Sequence, residues 1–277
     1  MTSDGPPVEP HPFRAFEHAG WQGAAAHYPA SFARATSPYV ETLLDEAGAR
    51  AGKRLLDIAC GPGIASGAAL QRGCHVTGVD FSSAMLGMAR GRLPAAVFHE
   101  ADAEALPLPG ASVDAAVSNF GLHHFPDPAR ALREALRVLR PGGRLAATVW
   151  VAPQLNPGWQ LMIDAIAAHG DPVPALPVPP RGLLNRAEDC VRLLIEAGAS
   201  PERASARMVH ALWRLDTADD LVDAFAAGTV RMRTLLAAQS PGALAAIRAA
   251  VADGLVAFRS DSGFLVPTRA ILASAAV

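Results

Sequence analysis

The chain has 277 residues, 51% of them hydrophobic and 18% charged, with a formal net charge of -2. Such a composition supports a sizeable core and excludes disorder over most of the length. Lys and Arg are scattered rather than clustered, which argues against a nucleic-acid partner because that partner would need a basic face. The three cysteines (Cys60, Cys74 and Cys190) have no short spacing, so neither a disulfide framework nor a zinc site is indicated.

The N-terminal part precedes the first predicted strand. Residues 1–12 are polar and rich in proline, and we expect them to form a flexible tail. They lack the basic and then apolar order of a signal peptide, and no run in the chain approaches the roughly 18 apolar residues of a membrane helix. We therefore expect a cytoplasmic protein without a membrane span. Residues 13–50 carry Trp21 and Tyr28 among small and polar residues and are predicted to form a helical cap.

Residues 51–151 alternate short apolar runs with helical stretches, which is typical of a parallel sheet. An amphipathic helix is predicted at 127–140, followed by a PGG turn at 141–143. The predicted strands are RLLDIA (54–59), HVTGVD (75–80), VFHEAD (97–102), SVDAAVSNF (112–120) and RLAATVWV (144–151).

The alternation stops after residue 151. Prolines exclude a continuous helix or a central strand at 171–180. The later elements are predicted as a helix at 187–199, a strand at 206–215, helices over 217–258 and a strand or short helix at 264–277. We predict an α/β fold with a doubly wound, seven-stranded and mostly parallel sheet. Residues 152–277 would complete this sheet and add a helical lid over the substrate.

A glycine turn, GPG (61–63), follows the first predicted strand. Gly61 and Gly63 let the backbone approach a ligand closely, and the helix that follows offers free N–H groups. Dinucleotide-binding folds use such a loop too, and Asp80 would suit a ribose in either case. Asp57, four residues before the first glycine, would bring unfavourable charge close to a pyrophosphate. It favours a ligand with a positive ammonium group instead.

Five strings carry a resemblance to a known family: LLDIACGPG (55–63), VDFSSAML (79–86), EADAEALPLP (100–109), VSNFGLHHFPDP (117–128) and LRVLRPGGRLAATVW (136–150). Over roughly residues 20–151 the chain resembles the class I S-adenosylmethionine-dependent methyltransferases, in particular the ubiquinone/menaquinone-biosynthesis-like group (methyltransferase type 11). The resemblance implies S-adenosyl-L-methionine (SAM) as the cofactor. It also implies methyl transfer to a carbon, oxygen or nitrogen of a small molecule, such as a secondary metabolite or a quinone-like compound. The predicted lid is apolar and rich in proline and alanine, which favours a hydrophobic substrate. A homodimer is left open.

The resemblance further implies which residues contact the cofactor. They are Asp57, Ala59, Gly61 and Gly63 at the methionine end, Asp80 at the ribose hydroxyls, Phe81 and Met85 beside the ribose and adenine, Asp102 and Ala103 at the adenine amino group, and Ser118, Asn119 and Phe120 beneath the sulfonium.

Three residues are candidates for catalysis. His123 and His124 follow the fourth strand, where an open α/β sheet places its ligand crevice. Either could take a proton from the substrate, or one of them fixes the loop without acid–base work. Tyr28 lies in the segment that covers the methyl group in the resembling family, and the alternative for it is core packing. No metal site is expected, because no acidic cluster joins the two histidines.

Two other functional classes remain open. A protein of this fold can keep SAM as a structural element and catalyse a cyclisation or isomerisation, or it can bind SAM as a non-catalytic subunit. An NAD-dependent oxidoreductase is disfavoured by the position of Asp57 and because no Tyr-x-x-x-Lys pair follows. Aromatic and apolar residues after residue 151, among them Trp159, Phe225 and Met232, would form either walls of a substrate pocket or ordinary core.

Overall fold

A single central sheet organises the chain, whose computed structural model describes residues 11–180, 182 and 184–277. Its strands are β1 (Arg54–Ile58), β2 (His75–Asp80), β3 (Val97–Glu100), β4 (Val113–Asn119), β5 (Leu139–Trp150), β6 (Ala204–Leu215), β7 (Arg259–Ser260) and β8 (Gly263–Ala276). The order across the sheet is β3-β2-β1-β4-β5-β8-β6, and β7 pairs with β8. Neighbours from β3 to β5 are parallel, whereas β8 is antiparallel to both β5 and β6. The predicted seven-stranded, mostly parallel sheet is confirmed, and the two-residue β7 is an addition to it.

Helices connect these strands and build a cap. They are α1 (Pro12–Ala24), α2 (Ala33–Thr36), α3 (Val40–Glu46), α4 (Ile64–Gln71), α5 (Ser83–Arg92), α6 (Pro128–Val138), α7 (Pro157–His169), α8 (Ala187–Glu196), α9 (Asp219–Gly228), α10 (Val230–Ala237) and α11 (Pro241–Leu255). The sequence specifies several helix starts directly. The side chains of Ser82 and Asp127 accept hydrogen bonds from the free N–H groups of Met85 and Arg130 at the first turns of α5 and α6.

Helices cover both faces of the sheet, and successive side chains along each strand point to opposite faces. In β1, Leu56 and Ile58 pack with α6 and α8, whereas Leu55 packs on the opposite face with α3 and α4. A third buried cluster joins α7, α9, α10 and α11 to Phe32 and to the ends of β6 and β8. We call this third cluster the cap core. It packs against the last residues of β6 and the first residues of β8.

Two details differ from the sequence-based expectations. The PGG segment at 141–143 lies inside β5, which begins at Leu139, and the pairing with β4 shifts its register between Val113 and Ala115. The last segment is a strand, although it contains Pro267. Pro267 pairs with Leu212 of β6 beyond the point where β5 ends. The missing N–H of Pro267 therefore costs no hydrogen bond to β5.

The expected tail and membrane assignments concern the two ends of the chain. Residues 1–10 of the predicted tail lie outside the described residues, and α1 begins at Pro12. Pro241–Phe258 is long and apolar enough to span a membrane by length and composition alone. In the structure Ile247, Val251 and Leu255 of this segment are buried in the cap core, and Arg248 forms ion pairs with α9. The division into tail, cap, SAM-binding core and lid stays a prediction.

Candidate functional site

A cleft of about 1070 Å³ opens where β1, β2, β3 and β4 end, below α1. Strand order reverses at β1, which has β2 on one side and β4 on the other, and such a switch point is where open α/β sheets bind ligands. Most of the predicted site residues line this cleft: Tyr28, Asp57, Ala59, Gly61, Asp80, Phe81, Met85, Asp102, Ala103, Asn119, Phe120 and His124. Gly63, Ser118 and His123 are not among the lining residues.

The turn after β1 has an unusual backbone. Ala59 and Gly61 adopt positive φ angles of 56° and 52°, and Gly63 follows with 82° directly before α4. A side chain at Gly63 would also clash, because a Cβ there would lie 2.7 Å from Leu93 Cδ1. Left-handed backbone at a non-glycine residue such as Ala59 is strained and occurs preferentially at binding sites.

Asp57 is a buried carboxylate at the start of this turn. Its Oδ2 accepts a 2.7 Å hydrogen bond from Ser66 Oγ, and within the described part of the chain it forms no ion pair. Burial raises the pKa of Asp57 to about 7, against the opposing effect of the Ser66 hydrogen bonds. The carboxylate therefore has free lone pairs and an uncompensated charge, which suits a cationic ligand.

Asp80 at the end of β2 is held by the backbone. Oδ2 accepts from the N–H of Gly61 at 2.8 Å and Oδ1 from the N–H of Ser82 at 2.9 Å. Burial raises the pKa of Asp80, and these backbone hydrogen bonds oppose the rise. Each oxygen keeps a further lone pair, so the group can accept hydrogen bonds from ligand hydroxyls.

Asp102 is more occupied than the sequence suggested. Oδ1 accepts from the N–H of Glu104 at 2.9 Å, and Oδ2 accepts from the guanidinium of Arg14, which also binds Glu104 at 2.6 Å. Arg14 lies on α1 and lines the cleft. Sequence reasoning missed Arg14, because no motif connects it with a residue 88 positions later.

The floor of the cleft lies at the end of β4. Asn119 Oδ1 accepts from Thr148 Oγ1 at 2.7 Å, and Asn119 Nδ2 donates to the carbonyl of Thr36 at 3.3 Å. Phe120 has φ 61° and stacks on Trp150, with ring centroids 3.9 Å apart. Ser118 is buried, and its Oγ has no hydrogen-bond partner within the described chain. Ser118 does not line the cleft.

The two neighbouring histidines lie in different environments. His124 lines the cleft, and its Nδ1 is 2.8 Å from Oε2 of Glu17 on α1. His123 instead lines a smaller cavity of about 200 Å³ beside Pro179. Burial of its ring, with a contribution from His124, lowers the pKa of His123 well below its usual 6.5. The geometry therefore brings His124, and not His123, to the predicted cofactor residues.

Tyr28 also lines the cleft. Its hydroxyl lies 3.0 Å from Thr36 Oγ1, and Trp21 meets its ring edge-on with centroids 5.6 Å apart. Burial raises the pKa of Tyr28 to about 12. The phenol is therefore protonated at neutral pH, where it can donate a hydrogen bond or form a wall but cannot act as a base.

The lid residues considered as pocket walls lie in the cap core. Phe225 is fully buried, and neither it nor Trp159 nor Met232 lines the cleft. Phe32 and Trp150, which do line the cleft, pack against Trp159, with their ring centroids 5.3 and 4.4 Å from that of Trp159. Of the two alternatives for these residues, the structure favours core.

Comparisons with known proteins agree with this geometry. Residues 56–147 match the methyltransferase domain family. A demethylmenaquinone methyltransferase of Clavibacter sepedonicus is 40% identical over 123 residues, which are 42% of this chain and 50% of the relative. The chain thus spans about half the length of the curated relatives it matches. The matched family region contains all the predicted site residues except Tyr28.

Solved structures share the fold over a longer stretch. A protein described as a methyltransferase from an antibiotic biosynthesis pathway of Anabaena variabilis superposes with a TM-score of 0.59 at 18% identity, covering 85% of this chain and 96% of that one. The cyclase SpnF gives a TM-score of 0.52 at 23% identity, covering 96% of this chain and 93% of the cyclase. At these identities the likeness concerns the fold alone, which occurs in both kinds of enzyme.

Proposed function

We propose that the chain, whose residues 56–147 match the methyltransferase domain family, transfers the methyl group of SAM to a carbon, oxygen or nitrogen of a small hydrophobic molecule. The observation that carries this proposal is the pair of buried carboxylates, Asp57 and Asp80, that line one cleft. Within the described part of the chain no basic side chain forms an ion pair with either. Since a buried charge is costly unless a partner compensates it, the cleft fits a ligand with an ammonium group and hydroxyl donors.

Different residues of the cleft would contact different parts of SAM. Asp57 would hold the ammonium group, and Asp80 would accept from the ribose hydroxyls. Phe81 and Met85 provide apolar contact on the same side of the cleft. Asp102 would take the adenine amino group on a lone pair that the hydrogen bonds from Glu104 and Arg14 leave free.

When bound, SAM supplies an electrophilic methyl carbon on a positively charged sulfur. The protein's task is then to orient the acceptor and to exclude water. The fixed side chains of Asn119 and Phe120 give the cleft a rigid floor, and α1 covers it with Trp21. His124, which lines the cleft, would accept a proton from the acceptor.

The acceptor side of the cleft is aromatic. Trp21, Tyr28, Phe32, Phe120 and Trp150 all line it. Apolar walls with few polar groups are typical of sites for small hydrophobic molecules, and the Clavibacter relative is named for a quinone precursor. We therefore propose a hydrophobic small molecule, quinone-like or a secondary metabolite, and not a nucleic acid, as the acceptor.

Calorimetry with SAM, followed by incubation with SAM and hydrophobic probes such as 1-naphthol and reduced menadione, tests the proposal. The expected result is S-adenosylhomocysteine in equal amount to a product heavier by one methyl group. A product with the mass of its substrate and unconsumed SAM would instead show a cyclase or isomerase. Binding of SAM without conversion of any acceptor would favour a non-catalytic subunit, and absence of SAM binding would overturn the proposal.

A further inference from the structure

Glu17 and His124 are joined in the wall of the cleft. Oε2 of Glu17 lies 2.8 Å from Nδ1 of His124, and the indole Nε1 of Trp21 donates to the same oxygen at 3.1 Å. Resting on the proposed function, we propose that Glu17 is a positioning residue. It orients the His124 ring so that Nε2 faces the acceptor. Nε2 is then the base that takes the proton from an O–H or an acidic C–H of the acceptor.

The hydrogen bond decides which ring nitrogen carries the proton. A carboxylate only accepts hydrogen bonds, so Nδ1 must be the donor in the neutral ring and Nε2 keeps its lone pair. Within the described chain Nε2 has no hydrogen-bond partner, and His124 lines the cleft. When Nε2 takes up a proton, the charge of the resulting imidazolium lies next to the Glu17 carboxylate, which stabilises it.

The burial of Glu17 supports this role. The residue is 5% exposed, and carboxylates are rarely buried unless paired. Arg14, Glu17 and Trp21 are spaced to share one face of α1, and both Arg14 and Trp21 line the cleft. This face of α1 is therefore part of the site and not only an anchor on the core.

The dyad is divided between two parts of the chain. Glu17 lies on α1, whereas His124 follows β4. Besides the Arg14 contacts, α1 is held on the core by Gln22, whose Oε1 accepts from Ser82 Oγ at 2.6 Å and from the N–H of Ala84 at 2.9 Å. The base is consequently oriented only when α1 is docked over the cleft, so orientation and exclusion of water occur together.

The proposed step balances in atoms and charge. The acceptor's nucleophilic atom bonds to the methyl carbon as the carbon–sulfur bond breaks, and the electron pair stays on sulfur. The proton lost by the acceptor passes to Nε2 of His124 and then to water. The titratable groups beside this ring are Glu17 on α1, Asp80 at the end of β2 and the adjacent His123.

Histidine-selective ¹⁵N NMR of the full chain tests the dyad without any acceptor. We expect His124, assigned by loss of its signals in His124→Gln, to be a single Nδ1–H tautomer at slightly basic pH. Glu17→Leu should abolish this single tautomer, whereas Glu188→Gln, a change of an exposed carboxylate on α8, should leave it unchanged. A wild-type His124 protonated at Nε2, or a spectrum that Glu17→Leu does not change, would overturn the proposal.

A kinetic arm separates positioning from mere structure. With 1-naphthol as probe, Glu17→Gln should lower kcat about 10–100-fold while the Kd for SAM changes less than about twofold. Equal losses of SAM affinity and turnover would show a structural role and overturn the proposal. If no probe is methylated, the proposed function has failed, whereas the NMR result still decides the dyad.

Discussion

The backbone N–H of Gly61 donates a 2.8 Å hydrogen bond to Oδ2 of Asp80. This bond ties the glycine turn after β1 to the end of β2, and the N–H of Ser82 fixes the other oxygen. The carboxylate is therefore oriented before any ligand arrives. Because little ordering is left for the moment of binding, its hydrogen bonds to a ligand cost less conformational entropy.

Replacing Asp80 tests the cofactor assignment. Asp80→Ala should weaken SAM binding by about 1.5–3 kcal/mol, the scale of lost hydrogen bonds to a charged group. Calorimetry measures the difference directly, with Asp253→Ala as a control because Asp253 is exposed on α11. Thermal unfolding of both variants checks that the glycine turn survives. An Asp80→Ala protein that is folded and binds SAM as tightly as wild type would contradict the assignment.

SAM affinity should depend on pH through Asp57. The pKa of Asp57 in the free protein is about 7, and only the ionised carboxylate compensates an ammonium group. Affinity should therefore rise with pH, by up to about tenfold per unit below pH 7, and level off above it, with a proton released on binding. Calorimetry between pH 5.5 and 8.5 measures this slope, and Asp57→Asn should flatten it. An equally steep slope in Asp57→Asn would assign the pH dependence to another group.

The parts of the fold that the sequence predicted depend on local patterns. The strand at 54–59 and the glycine turn at 61–63 could be predicted because each depends on residues that are neighbours in the sequence. Pro267 made the last segment ambiguous, since only its pairing with Leu212 beyond the end of β5 shows why a strand tolerates it. The PGG segment is predicted as a turn, and it lies where the pairing with β4 is interrupted between Leu139 and Arg144, with Gly142 at φ 79°. That β5 continues on both sides of it depends on pairing with distant strands, which leaves no local signal.

The candidate site shows the same limit. Asp57 and Asp80 follow buried strands and could be identified, but Arg14 and Glu17 reach partners 88 and 107 residues away. Adjacent residues in a short turn point in different directions, but no sequence pattern shows which of His123 and His124 faces the cleft. Only packing against α1 and against the segment around Pro179 distinguishes the two rings.

The two histidines should therefore respond differently to substitution. His124→Ala should lower turnover by about 10²–10⁴ with little change in SAM affinity, the range for losing a general base. His123→Leu should keep turnover near the wild-type rate, because its ring faces the smaller cavity and its low pKa keeps it neutral. S-adenosylhomocysteine release by both variants over pH 6–9 makes the comparison. The reverse order of effects would assign the base to His123.

Arg14 should control how firmly α1 covers the cleft. Arg14→Gln removes the ion pairs with Asp102 and Glu104, which leaves the buried Glu104 without its cation. Amide hydrogen exchange in α1 should become about tenfold faster, corresponding to roughly 1–2 kcal/mol. Arg34→Gln, which affects only an exposed pair with Asp216, is the control. Unchanged exchange in α1 would show that Gln22 and apolar contacts hold the helix.

Substitutions of Phe225 test whether the cap core also shapes the cleft. Its ring is fully buried and lies 5.3 Å from Phe32, 5.0 Å from Trp159 and 5.9 Å from Trp213, measured between centroids. Phe225→Ala should destabilise the protein by about 3–5 kcal/mol through lost burial and the cavity left behind, whereas Phe225→Leu should cost less because more of the volume is kept. Chemical unfolding gives these values, and calorimetry on the folded Phe225→Leu protein gives the Kd for SAM. We expect that Kd to be unchanged, since Phe225 does not line the cleft. A Phe225→Leu protein that keeps its stability but changes acceptor preference would show instead that the substrate reaches past Phe32 into the cap core.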